Sequence, residues 1–89
     1  MRAIVTVIGK DTVGIIAAVC ALLAQHKVNV LDISQTVLQE YFTMIMLVDA
    51  KEADLPFAQL AELLQKEGEA KGLSIRMQRE DIFNAMHRI

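Results

Sequence analysis

"AIVTVIGKDTVGIIAAVCALLAQHKVNVLDISQTVL", residues Ala3 to Leu38, changes its hydrophobic period twice, and those two changes decide the fold. From Ala3 to Ile8 the residues are largely β-branched, with Ala3, Val5 and Val7 alternating against Ile4, Thr6 and Ile8. This two-residue period predicts a strand with one face in a core, ended by Gly9. After "GKDTVG", the stretch Ile15 to His26 places Ile16, Val19, Cys20 and Leu23 at the three-and-four spacing of a helix face. Ile15 and Leu22 widen that face, and Ala17, Ala18, Ala21 and Ala24 fill much of the rest. Alternation returns from Val28 to Leu38, with Asn29, Leu31, Ile33 and Val37 on one side and Val30, Asp32, Ser34 and Thr36 on the other, a strand with one wet face.

Beyond Leu38, Gln39 and Glu40 make a short polar hairpin before Tyr41 to Val48, "YFTMIMLV", which is apolar on both faces as a central strand is. Lys51 to Asp54 reads as a charged loop. Asp54 or the Leu55-Pro56 pair starts a second helix, with Pro56 suited to its first turn. Its core stripe is Phe57, Leu60, Ala61 and Leu64. Gly68 weakens its end, and Gly72 suits a left-handed cap. Leu73 to Glu80 alternates as a half-buried strand, and "DIFNAMHRI", residues 81–89, has Asp81 as an N-cap for a short helix with Ile82, Phe83, Met86 and Ile89 on adjoining positions. The order strand, helix, strand, strand, helix, strand predicts an α+β, ferredoxin-like βαββαβ domain over residues 1–80. Its four-stranded antiparallel sheet carries two helices on one face, and a short C-terminal helical extension follows over 81–89.

Composition narrows the function. With 89 residues there is room for one domain, and 54% hydrophobic residues is rich for so short a chain, which points to self-association. The least polar stretch, Thr12 to Gln25, falls short of the roughly 20 residues of a membrane span. Met1 and Arg2 lead straight into a strand pattern rather than a signal peptide, so a cytoplasmic location is expected. A net charge of -2 offers no field for phosphate backbones, which argues against nucleic acid. Cys20 alone cannot form an internal disulfide or a thiolate metal site.

This fold hosts many activities, so the residues must choose. Tyr41 and Phe42 are neighbours on opposite faces, unlike the stacking pair of an RNA-recognition sheet. "GKDTVG" has no arginine to hold phosphate as an acylphosphatase would, and Ile15 and Ile16 stand where a P-loop needs Lys and Ser or Thr. Cys20 with His26 or His87 is the only nucleophile arrangement, and His26 lies six residues along the same helix, turned away. His87 with Asp81 or Glu80 falls short of a metal site, and Met44, Met46 and Met77 read as core fillers. No catalytic residue, metal site or cofactor is therefore expected. The loop itself admits two readings. Asp11 or Thr12 can cap the helix beside two turn glycines and a solvated lysine, or the free N–H groups at the helix start can seat a carboxylate.

"VTVIGKDTVGIIAAVCALLAQHKVNVLDISQ" resembles the ACT domain, the small-molecule-sensing module attached to many enzymes of amino-acid metabolism. The resemblance rests on Gly9, Asp11 and Gly14 before an aliphatic helix, then Asn29, Val30, Ile33 and Gln35 in the following strand, and runs from about Ala3 to Arg79. Val13 stands where many such domains have proline. The size and the "DIFNAMHRI" ending are similar to small free-standing bacterial ACT proteins of unassigned function. The resemblance implies a non-catalytic regulatory protein, a homodimer or higher homo-oligomer that binds a small metabolite, an amino acid, at a subunit interface. It places Asp11, Thr12, Val13, Gly14 and Ile15 on one side of the ligand and Asn29, Val30 and Asp32 on the other. The alternative is a ligand-free module for homo-oligomerisation or for an unknown protein partner.

Overall fold

Both period changes mark real element boundaries. The computed structural model describes residues 1–10 and 14–81, in the order β1 (Arg2–Lys10), α1 (Ile15–Gln25), β2 (Asn29–Leu38), β3 (Tyr41–Asp49), α2 (Phe57–Ala70) and β4 (Ser74–Arg79). All strand pairs are antiparallel, in the order β2-β3-β1-β4. This is the expected ferredoxin-like α+β arrangement. The helix expected over 81–89 lies outside the described residues apart from Asp81.

One face of the sheet makes the core. Ala3, Val5 and Val7 of β1, Phe42, Met44, Met46 and Val48 of β3, and Ile75 and Met77 of β4 are buried with Ile15, Val19 and Leu23 of α1 and Leu60 and Leu64 of α2. Met44, Met46 and Met77 are core fillers, as expected. In α1 the buried line is Ile15, Val19 and Leu23, one per turn, while Ile16 turns outward, 37% exposed. β1 runs past Gly9, because ladder pairing with β3 continues through Gly9↔Phe42 and Lys10↔Tyr41.

α2 starts later than the sequence suggests. Pro56 is its N-cap, in extended conformation, rather than a first-turn residue. Asp54 instead meets His26, Nδ1 to Oδ1 at 2.9 Å. Both helices end in the same way. Val28 N–H donates to Leu23 O and Leu73 N–H to Gly68 O, with Lys27 and Gly72 in left-handed conformation at φ 62° and 73°. These are Schellman closures, one on the expected glycine and one on a lysine.

β2 departs most from expectation. A bulge shifts its register between Val30 and Asp32, so Val30 pairs with Val48 but Asp32 with Leu47 and Ile33 with Met46. Directly paired residues share a face. Val30, Ile33, Gln35 and Val37 are therefore on the helix side, and Asn29, Asp32, Ser34 and Thr36 on the other. The expected grouping of Asn29 with Ile33 is broken by the extra residue, Leu31. β2 is also an edge strand beyond the cover of the helices, and all of it except Val30 is exposed. No described helix lies on the sheet's second face, where Ile8, Tyr41 and Ile45 are 40–51% exposed.

Candidate functional site

Gly14 is the N-cap of α1, with φ 86° and ψ 6°, a left-handed conformation that disfavours any residue with a Cβ. Among the described residues nothing lies within 4 Å of where a Cβ would be, and the backbone angle by itself calls for glycine. The cap therefore falls on Gly14 rather than on Asp11 or Thr12. It brings no side-chain hydrogen bond, and no acidic residue sits in the first turn. Ala18 N–H closes the turn on Gly14 O at 2.9 Å. Ile15 next to it is buried, so of this pair only the backbone is on offer. Asp11, Thr12 and Val13 lie outside the described residues.

The second half of the expected site is at the other end of the sheet. Asn29 pairs with Asp49, and Asp49 with Arg2, whereas Lys10, which precedes the Gly14 loop, is level with Tyr41 and Leu38. The length of α1, 11 residues or about 16 Å, separates Gly14 from Asn29. One subunit thus does not bring the two halves together. Val30 is half-buried on the helix side, while Asp32 is exposed on the opposite face with its Oδ1 accepting the N–H of Ile33 at 2.9 Å.

Asn29 lines an open cleft of about 520 Å³ with Lys27, Val28, Asp49, Lys51 and Glu52. Two loops form its walls, and His26 clasps them behind it: its ring meets Asp54, and its carbonyl accepts Asp54 N–H at 3.3 Å. Asp49 accepts the Lys51 N–H at 2.9 Å and the terminal ammonium of Met1 at 3.2 Å. The Lys51 amide, then the ammonium, hold its pKa below the ordinary carboxylate value. Lys27, Asp49, Lys51 and Glu52 escaped the sequence reading, which took 51–54 for a bare charged loop. The hairpin across Gln39 and Glu40 by itself sets position 49 opposite position 30, and only the bulge at Leu31 moves it opposite Asn29.

Chemistry of other kinds finds little to work with. Cys20 is partly buried within α1. Among the described residues no group of three or more His, Cys, Asp or Glu could hold a metal, and no helix is long and apolar enough to cross a membrane.

Comparison with known proteins agrees with this fold. The ACT domain family profile matches residues 2–78. A UPF0237 protein of Bifidobacterium longum is 56% identical over 88 residues, 99% of this chain and 98% of the relative. The solved structure of an ACT domain protein from Streptococcus pneumoniae superposes with a TM-score of 0.83 at 42% identity, covering 98% of each chain. That of a putative glycine cleavage system transcriptional repressor gives 0.71 at 25% identity, covering 86% of this chain and 44% of that one. With nearly its whole length matched, and with the βαββαβ order and the Gly14 turn in place, the chain belongs to the ACT domain family, among its UPF0237 proteins.

Proposed function

We propose that the protein is a non-catalytic sensor that binds a small amino acid between two copies of itself. The observation that carries this reading is that the two halves of the expected site lie at opposite ends of one bare edge strand. β2 is a ten-residue edge strand whose outer side pairs with no described strand, although the Ile33 N–H is held by Asp32 Oδ1. Beside it, on the helix side, stand Ile16, Ile33 and Val37, 37–56% exposed. Pairing two β2 edges antiparallel about a two-fold axis covers that strip and sets the Gly14 end of one copy beside the Asn29 end of the other.

In that seam the ligand carboxylate meets the N–H groups at the start of α1, where the helix dipole favours an anion. Asn29 supplies a donor and an acceptor for the rest of the molecule. On this reading the backbone of Gly14 and Ile15 borders the seam on one side and Val30 on the other, Asn29 enters from the strand end with its side chain on the same face as Asp32, and the family resemblance adds Asp11, Thr12 and Val13. The fold's presence in a putative glycine cleavage system repressor supports a link to amino-acid control. Occupancy acts by favouring one arrangement of the subunits.

Thermal unfolding against a panel of amino acids tests the reading. Ligand at one hundred times its Kd adds about 2.7 kcal/mol, and about 1 kcal/mol moves the midpoint of a domain this size by roughly 4 to 8 °C. A panel that leaves the midpoint unmoved favours the second reading, a ligand-free interaction module, for which the two uncovered apolar surfaces speak.

A further inference from the structure

We propose that the helix-free face of the sheet is a second homotypic interface, on which another copy packs sheet to sheet about a two-fold axis parallel to the strands. This surface is distinct from the β2 edge, and the inference does not rest on the ligand reading.

The face has a centre and two flanks. Its centre is the two inner strands, with Ile4, Thr6 and Ile8 of β1 and Thr43, Ile45 and Leu47 of β3, ending at Tyr41. Ile8, Ile45 and Tyr41 are 47%, 40% and 51% exposed, although an inner strand otherwise turns threonine-like or charged residues to water. No described element covers them. Four strands at about 4.8 Å spacing and about nine residues at about 3.3 Å each give roughly 600 Å² per copy. Two copies together then bury about 1,200 Å², which reaches the range of stable interfaces.

The flanks choose the orientation. Exposed Asp32 stands on the β2 side and exposed Arg76 on the β4 side. Neither forms an ion pair with a described residue. A two-fold axis along the strands lays β2 of each copy over β4 of the other, so that both Asp32–Arg76 pairs form. They lie two residues apart along the strands, about 7 Å, a step that the roughly 30° crossing of packed sheets and the reach of arginine absorb. An in-plane axis across the strands would instead set β4 on β4 and bring the two Arg76 guanidiniums together. Complementary flanks specify the first arrangement and penalise the second.

Analytical ultracentrifugation of the full chain over a concentration series tests this. Ile45→Thr, which keeps a β-branched strand residue, should raise the dissociation constant of the face contact about tenfold or more and halve the assembly mass. That step runs from tetramer to dimer if β2 edges also pair and from dimer to monomer if they do not. Asp32→Arg and Arg76→Asp should each weaken association about tenfold, and the double exchange should restore it to within about threefold. The charge exchange carries the test should Ile45→Thr fail to fold. A parent chain that sediments as a monomer would overturn the proposal. So would a double exchange as weak as the single ones, or an Ile45→Thr chain with a lower melting point and an unchanged assembly, since residues 82–89 or another part of the same chain would then be the cover.

Discussion

Gly68 of α2 and Ile75 of β4 leave no room for a methyl group between them: a Cβ on Gly68 would stand 2.8 Å from Ile75 Cγ1 and 3.0 Å from the carbonyl oxygen of Leu73. The helix backbone itself is the packing surface there. By propensity alone, alanine at this position should gain about 1 kcal/mol. Overpacking typically costs about 1 to 3 kcal/mol, and part of the obstacle is backbone that cannot rotate away. Gly68→Ala should therefore lower stability by about 1 kcal/mol, read as a melting point lower by about 4 to 8 °C. A rise would mean that α2 lifts freely from β4.

Lys27 occupies the left-handed position that closes α1, at φ 62°, where glycine is the usual resident. That conformation costs an L-residue roughly 1 to 2 kcal/mol, against about 0.4 to 1 kcal/mol of extra unfolded-chain entropy for glycine. Lys27→Gly should stabilise the fold by about 0.5 to 1 kcal/mol in urea titration. Because Lys27 also lines the Asn29 cleft, a lysine kept there at a cost in stability suits a working surface. Unchanged or reduced stability would show the turn to be relaxed.

Much of this fold was legible because five elements, all but β2, each bury one face. Leu60 and Leu64, or Val5 and Val7, declare a period and with it a type. β2 was legible as a strand but not in its faces, since the bulge at Leu31 adds one residue without changing composition, and a slip of one inverts everything beyond it. Lack of cover over Ile33 and Val37 depends on sheet order, a nonlocal property. The site was legible as two clusters, around Gly14 and Asn29. Their separation follows from β1 and β2 running parallel, which local patterning does not express.

Asp49 makes one contribution to stability depend on acid. Its folded pKa is lowered, by the Lys51 N–H first and the terminal ammonium second, so the folded chain holds that proton less tightly than the unfolded chain. The contribution is complete above the unfolded value of about 4 and is lost as pH falls through the folded one. In urea titrations, the advantage of the parent over Asp49→Asn should be flat from about pH 7 to 5 and shrink below about pH 4. A gap that persists undiminished in acid would assign the effect to the hydrogen bonds rather than the charge.

Gly14 separates the demands of the fold from those of the ligand. Gly14→Ala should cost about 1 to 2 kcal/mol, because a Cβ at φ 86° is strained whatever surrounds it. Gly14→Asn tolerates the left-handed angle better, and its side-chain oxygen can accept from the N–H groups at the start of α1, the role of an N-cap asparagine. That chain should melt within about 1 kcal/mol of the parent, yet lose the amino-acid-induced shift, since its own carboxamide occupies the carboxylate seat. Asn29→Ala should lose the shift as well, from the opposite side of the seam, while Lys66→Ala on the outer face of α2 keeps it. An undiminished shift in Gly14→Asn would move the carboxylate away from α1 and leave the Asn29 cleft to hold the ligand within a single subunit.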